Sequence, residues 1–147
     1  GGDKAIFGFG IPGSGATAIT NLVNNSGVVA SDTSGVGTAR GSMGAAAYGG
    51  DKAIFAYGET SSSLNMSNKV SNSGVVASDT SGVGTARYAL TATDFGGDKG
   101  LFFGGVPGPT AVSNLVSNTG VIAADTAGAS GVRASSLFSA AGYSYSA

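Results

Sequence analysis

The sequence predicts an all-β protein assembled from three tandem copies of one unit of about 47 residues. Residues 26–40 recur without change as residues 73–87, and residues 1–7 are repeated at residues 49–55. Each copy consists of short apolar runs separated by turns rich in Gly and Asn, the pattern of strands and hairpins. Units of this size stack on one another, because each is too small to bury its own apolar face. We expect one domain whose copies cover residues 1–48, 49–95 and 96–147.

The first copy contains four candidate strands. Residues 3–10 are apolar, aromatic and closed by Gly, which indicates a buried strand ending in a turn. Residues 20–23 form the second strand, and the Asn-Ser-Gly turn at 25–27 returns the chain into a third at 27–30, because Asn and Gly accept positive φ. Residues 41–48 have mostly small side chains, and their glycines favour a strand over a helix.

The first strand of each copy carries an adjacent pair of large apolar residues. We expect one residue of each pair to face a core between neighbouring copies, since successive side chains of a strand point to opposite faces. The pairs are Ile6 and Phe7, Ile54 and Phe55, and Leu101 and Phe102.

Charge is scarce: the chain has 7 basic and 8 acidic side chains, and only 10% of its residues are charged. It lacks the basic surface that a nucleic-acid-binding protein needs, and its apolar runs are too short for membrane insertion. Low charge leaves little protection against self-association, so we expect the surface to be covered by copies of the chain or by neighbours. Because the chain begins without Met at a repeat boundary, we also expect a processed product or a segment of a longer protein.

The composition argues against catalysis and metal binding. The chain has no His and no Cys, which removes the commonest general base and the thiolate ligands. The Asp-Thr-Ser-Gly motif at 32–35 indicates an Asx-turn that binds its own backbone, since aspartic proteases need two carboxylates sharing a proton. The Gly-rich residues 8–13 indicate a turn, because no helix follows them as in dinucleotide sites. The Asp-Lys pairs at 3–4, 51–52 and 98–99 offer one carboxylate per copy, which indicates solvated turns. We expect no catalytic residue, no metal and no cofactor.

Two features are candidates for binding. Arg40, Arg87 and Arg133 occupy the same position in the three copies, where they could recognise an anion or, as we favour, bind backbone carbonyls between copies or pair with a repeated Asp. The copies differ most in the loops at 11–18, 59–65 and 106–111, and divergent loops on a rigid scaffold are typical of recognition surfaces. Glu59 and Asn65 are the candidate contact residues of the second loop.

Residues 40–58 and 87–105 resemble the kelch repeat, which runs from an Arg through small residues, an aromatic and Gly to an apolar strand closing on Gly. The position where kelch repeats carry a Trp has Val29, Val76 and Ile122 nearby. The amino-acid sequences of the copies are also similar to the kelch-like repeats in structural proteins of tailed phages, especially marine ones. The resemblance covers the whole chain and implies four-stranded blades of a β-propeller.

This resemblance implies a non-catalytic structural or attachment module of a virion appendage, of the tail-fibre or capsid-decorating type. Because propellers have about four to eight blades, three blades imply a ring completed by further blades or by a second chain. Both terminal strands lack partners, so we expect no compact isolated monomer. The implied location is the virion or an extracellular surface, and the implied partners are the chain itself, other virion proteins or a host-surface glycan.

Three other functions compete with this interpretation. A glycan-binding, lectin-like propeller would use the loop face, and a self-assembling β-repeat fibre or solenoid would stack the copies linearly. A galactose-oxidase-like enzyme is disfavoured, because its copper site needs His and a Cys-modified Tyr.

Overall fold

The computed structural model describes residues 3–107, 111–128 and 139–143. The described residues form strands and turns without a helix, which confirms the all-β class. They also contain no helix that could cross a membrane. The first sheet contains β1 (Ala5–Gly10) and β2 (Thr17–Val23). The second contains β3 (Gly44–Tyr48), β4 (Lys52–Ala56) and β5 (Ser67–Val70). The third contains β6 (Thr91–Phe95), β7 (Lys99–Phe103), β8 (Val112–Val116) and β9 (Thr126–Ala127).

All strand pairs are antiparallel, and the strands of each sheet follow chain order. The small-residue strand β3 pairs with β4 of the following copy, with Ala46 opposite Ile54. A Gly-Gly turn joins them, and both Gly49 and Gly50 have the positive φ that this tight turn requires. The second and third sheets therefore each cross a predicted boundary between copies, whereas the first sheet lies within the first copy.

The third strand predicted at 27–30 is reduced to isolated bridges, between Val23 and Val29 and between Thr20 and Thr33. The reason is a side chain: Asn21 Nδ2 donates to Ala30 O at 3.1 Å, beside the backbone bond from Ala30 N to Leu22 O. The amide of Asn21 thus replaces part of a regular strand ladder.

The hydrophobic core lies between successive sheets. One cluster joins the first two sheets and contains Phe9, Phe55, Val70 and Val76. The larger cluster joins the second and third sheets, and includes Tyr48, Ile54, Tyr57, Phe102, Val116 and Ile122. An aromatic pair spans each contact: ring centroids are 5.2 Å apart for Phe9 and Phe55, and 5.4 Å apart for Tyr57 and Phe102.

The prediction that one residue of each apolar pair faces the core is confirmed. Ile54, Phe55 and Phe102 are buried, and the half-buried Ile6 packs against the first cluster. Of the remaining two residues, Leu101 is half-buried and Phe7 is exposed. Small residues set the distance between sheets: a Cβ at Gly44 would lie 2.8 Å from the ring of Phe102. Close approach of β3 to the third sheet therefore needs the small side chains that the sequence places there.

Candidate functional site

The Arg40 side chain is completely buried where the first copy meets the second. Its Nε donates to Tyr57 O at 2.8 Å, and its Nη2 donates to Asn68 Oδ1 at 2.7 Å. Its Nη1 donates to Thr38 O at 3.1 Å. One guanidinium group thus binds three oxygens, two of which belong to the following copy.

A carboxylate completes this arrangement. Asp79 Oδ1 lies 3.7 Å from Arg40 Nη1 and accepts from Asn68 Nδ2 at 2.9 Å. Asp79 Oδ2 accepts from the backbone N of Thr38 at 2.9 Å and from its Oγ1 at 2.7 Å. We refer to Thr38, Arg40, Asn68 and Asp79 as the first arginine cluster.

The surroundings shift the pKa values of the two charged residues of this cluster, Arg40 and Asp79. Burial lowers the pKa of Arg40, and the negative charge of Asp79 opposes that shift. Burial alone would raise the pKa of Asp79, but hydrogen bonds from Thr38 and Asn68 and the charge of Arg40 outweigh it and lower the pKa below its usual value. Asp79 is therefore held in its ionised form beside the guanidinium group.

The second arginine cluster, formed by Thr85, Arg87, Asn114 and Asp125, repeats this geometry between the second and third copies. Arg87 Nε donates to Gly104 O at 2.8 Å, and Nη2 donates to Asn114 Oδ1 at 2.5 Å. Asn114 Nδ2 donates to Asp125 Oδ1 at 2.9 Å, and Thr85 Oγ1 donates to Asp125 Oδ2 at 2.6 Å. Arg87 Nη1 lies 3.9 Å from Asp125 Oδ1.

An aromatic ring packs against each guanidinium group. Cζ of Arg40 lies 4.8 Å from the ring centroid of Phe9, and Cζ of Arg87 lies 4.0 Å from that of Tyr57. Both aromatic residues have left-handed backbones, with φ of 61° and 65°. In Tyr57 this strained conformation places the carbonyl against Arg40 while the ring lies against Arg87. Tyr57 therefore links the two clusters.

The predicted binding residues are all engaged within the protein where the structure describes them. The guanidinium groups of Arg40 and Arg87 are inaccessible to an anion, because both are buried and their donors are used by protein oxygens. Arg133 lies outside the described residues. Glu59 Oε1 accepts from Ser42 Oγ at 2.8 Å, and Asn65 Nδ2 donates to Gly84 O at 2.8 Å.

The structure corrects one sequence prediction and adds one role that the sequence analysis did not assign. The prediction that the repeated Asp binds its own backbone is wrong for Asp79 and Asp125, which bind Thr38 and Thr85 of the preceding copy instead. The role of the Asn residues was missed, although a signal existed: Asn and Asp are separated by the same 11 residues in every copy.

The Asp-Lys pairs lie at exposed turns. Lys52 Nζ binds Asp51 Oδ1 at 2.7 Å, and Lys99 Nζ binds Asp98 Oδ1 at 2.9 Å. The hydrogen bond from Lys52 is the main cause that lowers the pKa of Asp51. Nowhere in the described ranges do three acidic side chains converge as a metal site would require.

The first two variable loops and the described start of the third, at Val106, lie next to one another along one edge. Arg40 and Gly41 lie between the first and second loops. Gly10 N donates a hydrogen bond to Arg40 O at 2.9 Å, and Gly41 and Glu59 exchange two backbone hydrogen bonds of 3.0 and 2.9 Å. Equivalent backbone bonds join the second and third loops, through Gly58 with Arg87 and Tyr88 with Val106. Residues 11–16 and 60–62 are exposed on this edge.

No protein-family model matches the chain, and no curated protein matches it.

Proposed function

We propose that the chain is a non-catalytic structural and attachment module that presents its variable loops to a surface. The observation that carries the proposal is the alignment of the loops at one edge by backbone bonds that follow Arg40 and Arg87. The arginine clusters keep the same geometry in both contacts, whereas the loops differ in sequence and length. A constant scaffold with divergent neighbouring loops suits recognition of an extended surface.

The architecture that we propose is a set of kelch-type β-propeller blades. Small antiparallel sheets with apolar clusters between them support this proposal, and the second and third sheets each begin with a strand from the end of the preceding copy. Further blades or a second chain complete the ring in this account.

The proposed setting is a virion appendage or another extracellular surface. Near-identical copies and a charged fraction of only 10% support a protein that is covered by itself or by other virion proteins. The proposed target of the loops is a host-surface glycan, because the exposed residues 60–62 are hydroxyl-bearing and can exchange hydrogen bonds with sugar hydroxyls.

The test is to change the exposed loops without touching their packing residues. Residues 12–16 are replaced by a Gly-Ser segment of equal length and residues 60–62 by alanines, while Ile11, Glu59 and Asn65 stay. The matched control is Asn25→Ala, at the turn on the opposite end of β2. Binding is measured on an array of bacterial surface polysaccharides, and circular dichroism reports the fold.

We expect the wild type and the control to bind at least one polysaccharide and the loop variant to lose that binding with an unchanged spectrum. The recognition proposal is wrong if the wild type binds no polysaccharide, or if the loop variant binds as well as the wild type.

A further inference from the structure

The turns at one end of the strands form an edge of the molecule that lies opposite the variable loops. β4 and β7 begin at this edge, after the turns that contain the Asp-Lys pairs, and β5 and β8 end there. Hydrogen bonds join the turns of different copies. Gly49 N donates to Asp98 O at 2.8 Å, and Lys69 Nζ donates to Thr119 O at 3.2 Å. We refer to residues 24–28, 49–52, 71–75, 96–99 and 117–121 as the turn edge.

The turn edge exposes one valine in every copy. Val28, Val75 and Val121 hold the same repeat position and are 60%, 64% and 59% exposed. The next residues in the second and third copies, Val76 and Ile122, belong to the core clusters. Because the second sheet packs against both the first and the third, the exposure of Val75 is a property of the repeat position and not of a copy's place in the chain.

Hydrogen bonds fix the backbone of these valines and make no use of their side chains. Ser71 N donates to Val75 O at 3.0 Å, and Val75 N donates to Ser71 Oγ at 3.1 Å. Ser117 and Val121 form the same two bonds, of 2.9 and 3.1 Å. A threonine, which is β-branched like valine, could form these backbone bonds equally well. The fold of the chain therefore does not require an apolar side chain at this exposed position.

The Asp-Lys pairs give the turn edge a charge pattern that is complementary to itself. Asp51 and Lys52 form one ion pair, Asp98 and Lys99 form the other, and all four side chains are more than a third exposed. These two turns thus carry equal numbers of positive and negative charges, in the same order along the edge. A two-fold rotation reverses that order, so an identical edge rotated in this way places its lysines opposite these aspartates.

We propose that the turn edge is the surface through which a second copy of this chain binds, in a two-fold arrangement that places turn edge against turn edge. Two observations select a second copy as the occupant: an exposed valine that recurs in every copy of the repeat, and a charge order that is complementary to itself after the two-fold rotation.

The consequences of this contact follow from its symmetry. An isologous contact uses the same surface on both chains, so it closes after two chains. The valines of one chain pack against the turn edge of the other and lose their contact with water. Because the variable loops lie at the opposite ends of the strands, the dimer presents its two sets of loops on opposite sides. The contact itself involves none of the variable loops.

The first test measures mass in solution by light scattering and sedimentation over a range of protein concentrations. We expect the 14.0 kDa wild-type chain to form dimers. A triple variant changes only the valines of the turn edge: Val28→Thr, Val75→Thr and Val121→Thr. It should weaken dimerisation about tenfold or more, because each valine is lost from both sides of the contact.

The matched control changes two exposed valines that lie away from the turn edge. Val36 and Val83 are 39% and 40% exposed, and Gly84 O, next to Val83, accepts a hydrogen bond from Asn65 of the second variable loop. Val36→Thr combined with Val83→Thr should leave the dissociation constant of the dimer unchanged. Circular dichroism verifies that both variants keep the fold of the wild type.

A mixing experiment tests the two-fold arrangement. Lys52→Glu combined with Lys99→Glu leaves only negative charges in the two pairs, and Asp51→Lys combined with Asp98→Lys leaves only positive ones. Each double variant alone should be monomeric at concentrations at which the wild type is dimeric, because the rotation places like charges together. An equimolar mixture of the two should form dimers.

Four results would each overturn the proposal: a monomeric wild type, a triple valine variant that dimerises as well as the wild type, a control that is weakened equally, or a charge mixture that stays monomeric. A partner of another kind at this edge would give the first of these results. Polysaccharide binding by the variable loops has no influence on any of them, so the two proposals fail separately.

Discussion

Arg40 and Arg87 have a role that a lysine cannot fill. A planar guanidinium group donates in several fixed directions, and Arg40 uses them to reach Tyr57 O, Asn68 Oδ1 and Thr38 O together. Burying a charge is costly, and the cost is offset only when the group is paired and its donors are satisfied. Both conditions hold, because Asp79 lies 3.7 Å away and no buried polar side-chain atom among the described residues lacks a partner.

Removing the arginine should therefore destabilise the protein strongly. Arg40→Ala leaves Asn68 and the ionised Asp79 without their partner, and we expect a loss of about 3–5 kcal/mol in the free energy of unfolding. Arg40→Lys keeps the positive charge but not the planar group with several donors. The decrease in the free energy of unfolding should therefore be smaller than for Arg40→Ala but still measurable. Urea denaturation provides the values. The exposed Lys4→Ala is the control and should stay within about 0.5 kcal/mol of the wild type; a similar value for Arg40→Ala would contradict the structural role.

The lowered pKa values of Asp79 and Asp125 predict a loss of stability in acid. Their folded-state pKa lies below the usual 3.8, so the folded protein binds fewer protons than the unfolded chain. This contribution is complete above the usual value and is lost as the pH falls through it towards the folded-state pKa. Unfolding free energies measured by urea denaturation between about pH 6 and pH 2.5 should show the decline. Asp79→Asn combined with Asp125→Asn should flatten it, and an unchanged slope in that double variant would contradict the account.

At the scale of the strand, burial depends on the neighbouring sheet rather than on the strand's own sequence. β1 and β4 share the sequence Ala-Ile-Phe, yet Phe55 is covered by Phe9 and Phe7 is exposed. The apolar faces of the second and third sheets are thus covered by the sheet before each of them.

This difference gives a matched pair of variants. Phe55→Ala should cost about 3–5 kcal/mol of unfolding free energy, because it opens a cavity in the cluster between the first two sheets. Phe7→Ala, at the same repeat position, should change the value by less than about 0.5 kcal/mol in the isolated chain, since no buried contact is lost. Thermal and urea unfolding at low protein concentration measure both. Equal costs for the two variants would show that the sheets do not depend on one another in this way.

At the scale of the whole molecule, the repeats allowed the fold class to be predicted, but they did not allow the contacts between copies to be predicted. The strands could be predicted because their apolar runs end at turns that contain Gly and Asn. The shared repeat position of the arginines also indicated a contact between copies. The partner of Asp79 was not readable, because Thr38 lies 41 residues earlier and meets it only when the copies stack. The exposure of Phe7 could not be predicted for a related reason. Phe7 and Phe55 lie in identical local sequences, which predict the same environment, and the two residues differ only in the copy to which they belong.

The central claim is that Arg40 and Arg87 each act with the carboxylate of the following copy as one unit that holds two copies together. A double-mutant cycle on Arg40→Met and Asp79→Asn, followed by urea denaturation, tests it most directly. The account predicts a coupling energy of about 0.5–3 kcal/mol for this pair. It predicts no coupling beyond about 0.5 kcal/mol for the control cycle of Arg40→Met with Asp125→Asn, which belongs to the other cluster. Additive effects for Arg40 and Asp79 would contradict the claim.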